Sequence, residues 1–198
     1  MKIKTKIGLF FGSFNPIHSG HLMIAGYMAE YSDMKEVWFV ISPQNPLKEK
    51  TSLLPDYHRL ALVNVAIEDD VRFKSCDIEF KLSQPSYTIN TLTYLNEKYP
   101  QKEFGLIMGA DNMESLNKWK KYEQILEYYS IYVYPRPGSD GGSFKDHPKV
   151  KWMNAPFLEI SSSFIRSAIK EKKNMSYFLP GKVYKYIQEM HFYEKYSN

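Results

Sequence analysis

Two histidines, His18 and His21, stand three residues apart just after a short apolar run, within GLFFGSFNPIHSGHL (Gly8 to Leu22). Imidazoles at that spacing can ligate a metal, exchange protons, pack or cap a helix, or donate hydrogen bonds to an anion. Gly12 and Ser13 leave little side-chain bulk where the run ends, so backbone N–H groups there can approach a ligand closely. Ser19 is a candidate N-cap, which puts both imidazoles beside the positive end of a helix. An anion at that end meets amides, the helix dipole and two ring donors. A metal needs a third and a fourth ligand, and no cluster of Cys, His or carboxylate at ligand spacing accompanies the pair. The stretch therefore favours phosphate contacts, with packing or capping and then a metal as the alternatives.

Four other stretches carry polar or aromatic groups that could do chemistry. SSSFIR puts Arg166 in the first turn of a helix opened by serines. An arginine there opposes the dipole, a conflict that a bound anion removes; a surface arginine beside an ordinary serine cap is the equal alternative. In GADN, Asp111 follows Gly109 and Ala110 at a strand end. Its carboxylate can accept from ribose hydroxyls, cap the next helix, or do both. KWKK offers the Trp119 ring for stacking, although a Trp on an amphipathic helix more often packs in a core, and NPLK offers Lys48 on a loop.

These groups need elements to hold them. KIGLFF (Lys6 to Phe11) and VWFVIS (Val37 to Ser42) read as buried strands, with VRFKS, EFGLIMG, SIYVYPR and VKWMNAP following. Helices are expected over about 19–31, 56–67 and 88–98, then a broken helical stretch after GADN, one helix from ISSSFIRSAIKEK and a last one within YFLPGKVYKYIQEMHFY. PGSDGGSFKDHP is expected to be a mobile surface loop. Strands alternating with helices mean βαβ units and an α/β, mostly parallel sheet covered on both faces. Ligands in such sheets sit beyond the carboxyl ends of the strands, where all three principal stretches fall. One domain over residues 1–198 is expected, its C-terminal helical part beginning near residue 161.

Composition narrows the function classes. The 198 residues are 43% hydrophobic and 24% charged, which suits a globular chain with a real core. A net charge of +4 is too small to argue for nucleic acid but suits small anions. One cysteine, Cys76, makes no internal disulfide and has no paired base, so it is a poor nucleophile candidate. The apolar stretch behind the N-terminal lysines is too short for a signal peptide, and no run spans a bilayer; a cytoplasmic protein without membrane or nucleic-acid partners is expected. GxxxxGK[ST], GxGxxG and GxSxG are all missing.

GSFNPIHSGH together with ISSSFIR resembles the paired signature of the HxGH nucleotidyltransferases, relatives of the class I aminoacyl-tRNA synthetase core. SYTINTL, GADNMESLNKWK, RPG and YFLPGKVYKYI then follow in the order found in bacterial nicotinate mononucleotide adenylyltransferases, so the likeness covers nearly the whole chain. It implies a Rossmann-like fold and transfer of AMP from ATP to nicotinate mononucleotide, giving deamido-NAD and pyrophosphate with Mg²⁺. The resemblance gives His18, His21 and Arg166 the catalytic contacts to the ATP phosphates, with Ser162 nearby. Gly12, Ser13 and Phe14 complete the ATP site, and Gly109 and Asp111 take the ribose region. Thr88 and Trp119 would receive the nicotinate ring and carboxylate, and Lys48 and Arg136 the substrate phosphate. No protein metal site is implied, Mg²⁺ being held mainly by ATP. Oligomerisation stays open. Asn15, Leu47 and Asn90 depart from the family, which usually has Asp, His and Asp there.

The residue inventory agrees with that chemistry. A phosphate monoester is already anionic at pH 7 and needs no general base, so in-line displacement at the α-phosphate rests on positioning and charge stabilisation. The alternatives are another acceptor (nicotinamide mononucleotide or phosphopantetheine), a catalytically silent nucleotide-binding regulatory domain, or a metal-dependent hydrolase.

Overall fold

Alternating apolar residues place the two faces of a central sheet in separate cores. In β1 (Thr5–Gly12), Ile7 and Leu9 pack on one side and Phe10 on the other. In β2 (Glu36–Ile41), Val37, Phe39 and Ile41 share the Phe10 side, while Trp38 and Val40 share the other. Period-2 burial on both faces is what a strand needs when helices cover the sheet twice. β3 (Phe73–Cys76), β4 (Lys102–Gly109), β5 (Ser130–Tyr134) and β6 (Val150–Trp152) complete the sheet in the order β3-β2-β1-β4-β5-β6. Every pair is parallel, with Leu9 opposite both Trp38 and Leu106. The computed structural model describes residues 4–43, 53–157 and 159–194.

Helices α1 (Ser19–Tyr31), α2 (Asp56–Ile67), α6 (Ser162–Lys170) and α7 (Gly181–Glu189) bury one face against Phe10, Phe39 and Tyr132. Helices α3 (Thr88–Lys98), α4 (Ala110–Glu114) and α5 (Tyr122–Tyr128) cover the opposite face over Leu9, Val40 and Leu106. The strand order reverses between β1 and β4, which opens a crevice at their carboxyl ends.

The limits expected for α1, α2 and α3 are the limits observed. β3 starts two residues later than expected, because the amides before it close a turn. Asp70 accepts from the Arg72 N–H at 3.0 Å through its side chain and from the Phe73 N–H at 3.0 Å through its carbonyl. The segment expected to be mobile, 137–148, is pinned instead. Its Asp140 N–H donates to Glu114 at 2.9 Å, and Trp152 Nε1 donates to the Lys145 carbonyl at 2.9 Å. Among the described residues no helix is long and apolar enough to cross a membrane.

Candidate active site

The loop after β1 reaches the switch point and turns there into α1. Phe14 adopts φ 45°, a left-handed conformation uncommon for a residue with a ring, and is fully buried. Its ring packs on Phe10, Phe39 and His21, with centroids 5.9, 5.5 and 5.1 Å away. Phe14 can offer a nucleotide its backbone but not its ring. Gly12 is required by that ring, since a Cβ there would lie 2.8 Å from it, so the glycine makes room for packing.

The carbonyls of the loop are gripped from outside. Arg59, fully buried on α2, donates through Nη1 to the Ser13 and Ser42 carbonyls at 2.7 Å each and through Nε to the Leu54 carbonyl at 3.0 Å. Its other nitrogen reaches Pro43 at 3.1 Å and also pairs with Asp56. Ser162 Oγ donates to the Pro16 carbonyl at 2.9 Å, so this hydroxyl, expected near phosphate, has its proton committed to the loop.

His18, rather than Ser19, occupies the cap position of α1, with extended φ −142°, ψ 169°. The Ser19 amide is taken by the Phe178 carbonyl at 3.0 Å. The His18 N–H donates to His21 Nδ1 at 3.3 Å, which leaves the His21 proton on Nε2. The two rings stack with centroids 3.7 Å apart. Gly20 permits the stack: a Cβ on it would meet His18 Nδ1 at 3.1 Å. Burial, then the nearby Arg136 guanidinium, lowers the His18 pKa to about 4. Burial, His18 and Arg136 push His21 well below its ordinary value. Both rings are therefore neutral at pH 7. His18 Nδ1 is buried without a hydrogen-bond partner.

Arg136, expected beside the substrate phosphate, lies near enough to this pair for its charge to lower both pKa values. Its Nε is 3.8 Å from Asp111, its Nη2 donates to the Tyr134 hydroxyl at 3.3 Å, and its guanidinium covers the Tyr134 ring. Gly109 ends β4 and leaves the space in which Asp111 and Arg136 approach: a Cβ there would meet Arg136 Cγ at 3.0 Å. Asp111 is exposed in the first turn of α4.

Arg166 enters from the far end of the chain. It is the fifth residue of α6, beyond the first turn where it was expected, and the cap of that helix is Ser161, which accepts from the Phe164 N–H at 3.2 Å. Arg166 Nη1 donates to the Asn15 carbonyl at 2.8 Å and Nη2 to Ser163 Oγ at 3.3 Å. Asn15 Oδ1 accepts from the Leu54 N–H at 3.2 Å and the Tyr193 hydroxyl at 2.8 Å.

Thr88 begins α3, and no side chain caps that terminus, while the Asn90 and Thr91 amides bond the Tyr87 carbonyl at 2.9 and 3.2 Å. Lys120 Nζ lies 4.2 Å from the Tyr87 ring centroid, which ties the Trp119 segment to this helix start. Trp119 is partly buried against the core on that face. Behind Thr88, the buried Glu79 accepts from Ser86 Oγ at 3.1 Å and Thr91 Oγ1 at 2.7 Å. Asn90 is exposed on α3. Lys48 and Leu47 lie outside the described residues. Cys76 is buried, and burial raises its thiol pKa.

Sequence reasoning passed over Arg59, Glu79 and Tyr193. Charged or hydroxylated side chains inside ordinary helices and turns carry no local sign of the carbonyls and hydroxyls they meet. For Glu79 the serine and threonine of SYTINTL were a usable signal.

The assembled groups are imidazole and guanidinium donors around a crevice, with Asp111 nearby. Among the described residues no three His, Cys, Asp or Glu side chains gather in a way that could hold a metal. The donor set suits an anion with extended charge.

Comparison with known proteins agrees with this geometry. Residues 9–168 match the model of the cytidylyltransferase-like family. A Flavobacterium psychrophilum protein named "Probable nicotinate-nucleotide adenylyltransferase" is 57% identical over 192 residues, 96% of this chain and 100% of that one. A protein of the same name from Bacteroides thetaiotaomicron is 48% identical over 94% of this chain and 92% of its own. The solved Plasmodium falciparum nicotinic acid mononucleotide adenylyltransferase, complexed with NaAD, shares the fold with a TM-score of 0.80 at 22% identity, over 96% of this chain and 98% of that one. The chain belongs to the cytidylyltransferase-like family and, among its members, to the nicotinate-nucleotide adenylyltransferases.

Proposed function

We propose that this enzyme transfers AMP from ATP to nicotinate mononucleotide, forming deamido-NAD and pyrophosphate. The observation that carries the reading is the convergence at the β1/β4 switch point of two stacked neutral histidines with Arg136, and of Arg166 held to the same loop. Charge donors in a half-buried crevice, with no nucleophile–base pair among them, suit a displacement in which charge on the phosphates must be stabilised.

In this reading the triphosphate lies across the start of α1. His21 Nε2–H, the His18 ring and Arg166 donate to its oxygens. Burial desolvates the imidazoles, so each donates to the polyphosphate at low dielectric. Asp111 accepts from the ribose. The phosphate of nicotinate mononucleotide attacks the α-phosphorus in line, and pyrophosphate leaves. The nicotinate carboxylate docks on the first amides of α3 at Thr88, the kind of site a helix N-terminus provides, and the Trp119 ring stacks on the pyridine. Lys48 would serve the substrate phosphate, and Arg136, next to the histidines, would stabilise the phosphates being joined.

A divalent ion fits as a companion of ATP rather than as a resident metal, because among the described residues Asp111 is the one carboxylate placed with these cationic and neutral donors, and one oxygen ligand does not make a metal site. Mg²⁺ would screen the phosphate charge and orient the leaving group.

Pyrophosphate release from ATP and Mg²⁺, measured with a panel of acceptors, tests the proposal. Nicotinate mononucleotide is expected to turn over fastest, because the amide has no carboxylate for the α3 terminus. Faster turnover of nicotinamide mononucleotide or phosphopantetheine would replace the acceptor, and no release with any acceptor would leave only nucleotide binding.

A further inference from the structure

We infer that Tyr193 is a positioning residue for adenylyl transfer, its hydroxyl fixing the Asn15 peptide whose carbonyl holds Arg166. This rests on the reading of the site given above. Asn15 is 3% exposed and joins three distant parts of the chain at one residue. Its side-chain oxygen accepts from Tyr193 at 2.8 Å and from the Leu54 N–H at 3.2 Å, while its carbonyl accepts from Arg166 at 2.8 Å.

Tyr193 sits beyond α7 and outside the residues that the family model matches, which end at 168. The turn that carries it is built to aim it. His191 and Tyr193 adopt φ 53° and 67°, left-handed conformations that persist only where surroundings hold them. The Phe192 N–H bonds the Ile187 carbonyl at 3.1 Å, and the Phe192 ring packs on His58, centroids 4.6 Å apart. The phenol itself is buried, and burial raises its pKa, so it stays a donor.

The position of Arg166 thus depends on that of Asn15, and Asn15 is held from the C-terminus. Asn15 also stands where the family usually has Asp. Both of these donors need an oxygen, which amide and carboxylate supply alike. A shift of the Asn15 peptide would move the guanidinium and, through Pro16, the start of the histidine segment.

Pyrophosphate release with ATP and nicotinate mononucleotide tests this on Tyr193→Phe, Asn15→Ala, their double variant and Asn15→Asp, with melting curves alongside. Tyr193→Phe is expected to lower kcat/KM for ATP about tenfold, the size of one lost buried hydrogen bond, while KM for the mononucleotide stays within about twofold. In the Asn15→Ala background the same change is expected to do nothing further, because Tyr193 acts through Asn15. Asn15→Asp keeps the acceptor and is expected to stay within about threefold of the parent. An unchanged kcat/KM in Tyr193→Phe, full additivity with Asn15→Ala, or a variant that merely unfolds below assay temperature overturns the inference. No pyrophosphate from the parent enzyme with any acceptor would instead overturn the functional reading and take this role with it.

Discussion

His18 and His21 stack at 3.7 Å while the backbone N–H of the first donates to the ring nitrogen of the second. A proton added to Nδ1 of His21 would break that bond, and one added to either ring would place a cation beside Arg136. Neutrality is thus built into the pair, and it has a cost measurable in stability. A histidine whose native pKa is depressed binds fewer protons folded than unfolded, so stability rises with pH between the native and the unfolded value.

For His18 that window runs from about 4 to 6.5. Acidifying from pH 7 to pH 5 is expected to remove on the order of 2 kcal/mol through His18 alone, with His21 adding to the same loss. Urea unfolding at the two pH values checks this against His18→Gln, in which the His18 share of the loss disappears. An equal pH dependence in both proteins would mean that the pair titrates normally.

Removal of a phosphate donor addresses the chemistry directly. His18→Ala and Arg166→Ala are each expected to lower kcat at least a hundredfold, corresponding to about 2–4 kcal/mol of transition-state stabilisation. Circular dichroism should still report a folded chain. Near-normal turnover in either variant contradicts the role assigned to that side chain.

Gly20 separates function from folding more sharply. An alanine Cβ would sit 3.1 Å from His18 Nδ1 and 3.2 Å from its Cε1, closer than ordinary contact, so the ring must give way. Helix propensity favours alanine over glycine by roughly 1 kcal/mol, which offsets part of the strain. Gly20→Ala is therefore expected to melt within a few degrees of the parent but to lose at least about tenfold in kcat through the displaced imidazole, as small misplacements do. Unchanged kcat would show that the ring can move without consequence.

Much of this arrangement is legible in the sequence. Alternation of apolar residues in Lys6 to Phe11 and Val37 to Ser42 reported both sheet faces, and the histidine pair and Arg166 were visible as polar groups just beyond strands or at a helix start. What escaped was whatever depends on partners far along the chain. Arg59 meets carbonyls 16, 17 and 46 residues away, and within α2 it reads as one more solvated cation. Ser19 looked like the cap because serine caps locally, yet its amide is used by Phe178 and the cap position passes to His18. Phe14 follows Gly12 and Ser13 in the loop, and nothing in that local sequence shows that a left-handed turn puts its ring in the core.

Arg59 carries the consequence for stability. Replacing it with methionine fills similar volume but strands the carbonyls of Ser13, Ser42, Pro43 and Leu54. Each buried, unsatisfied acceptor costs about 1–3 kcal/mol, so Arg59→Met is expected to lose at least about 3 kcal/mol in denaturant unfolding. A loss under about 1 kcal/mol would mean that water reaches these carbonyls.

Glu79 makes the matching case on the other face of the sheet, beside the proposed acceptor site. Its carboxylate is 2% exposed, and its two oxygens take the hydroxyls of Ser86 and Thr91, which bracket Thr88 in sequence. Gln84 adds a bond from Nε2 to the Glu79 carbonyl at 2.9 Å, so the segment leading into α3 is tied to this one residue. In Glu79→Gln one oxygen becomes an NH₂ group that faces a hydroxyl as a donor. The Thr91 or Ser86 hydroxyl can rotate to accept, which limits the loss of stability to about 1 kcal/mol. The leading amides of α3 would nevertheless lose their fixed direction. KM for nicotinate mononucleotide is expected to rise about fivefold to tenfold, the worth of one well-placed hydrogen bond, with KM for ATP unchanged. Steady-state kinetics with each substrate varied in turn decides the point: an equal rise in both constants would mean that Glu79 supports the fold at large rather than the acceptor side of the crevice.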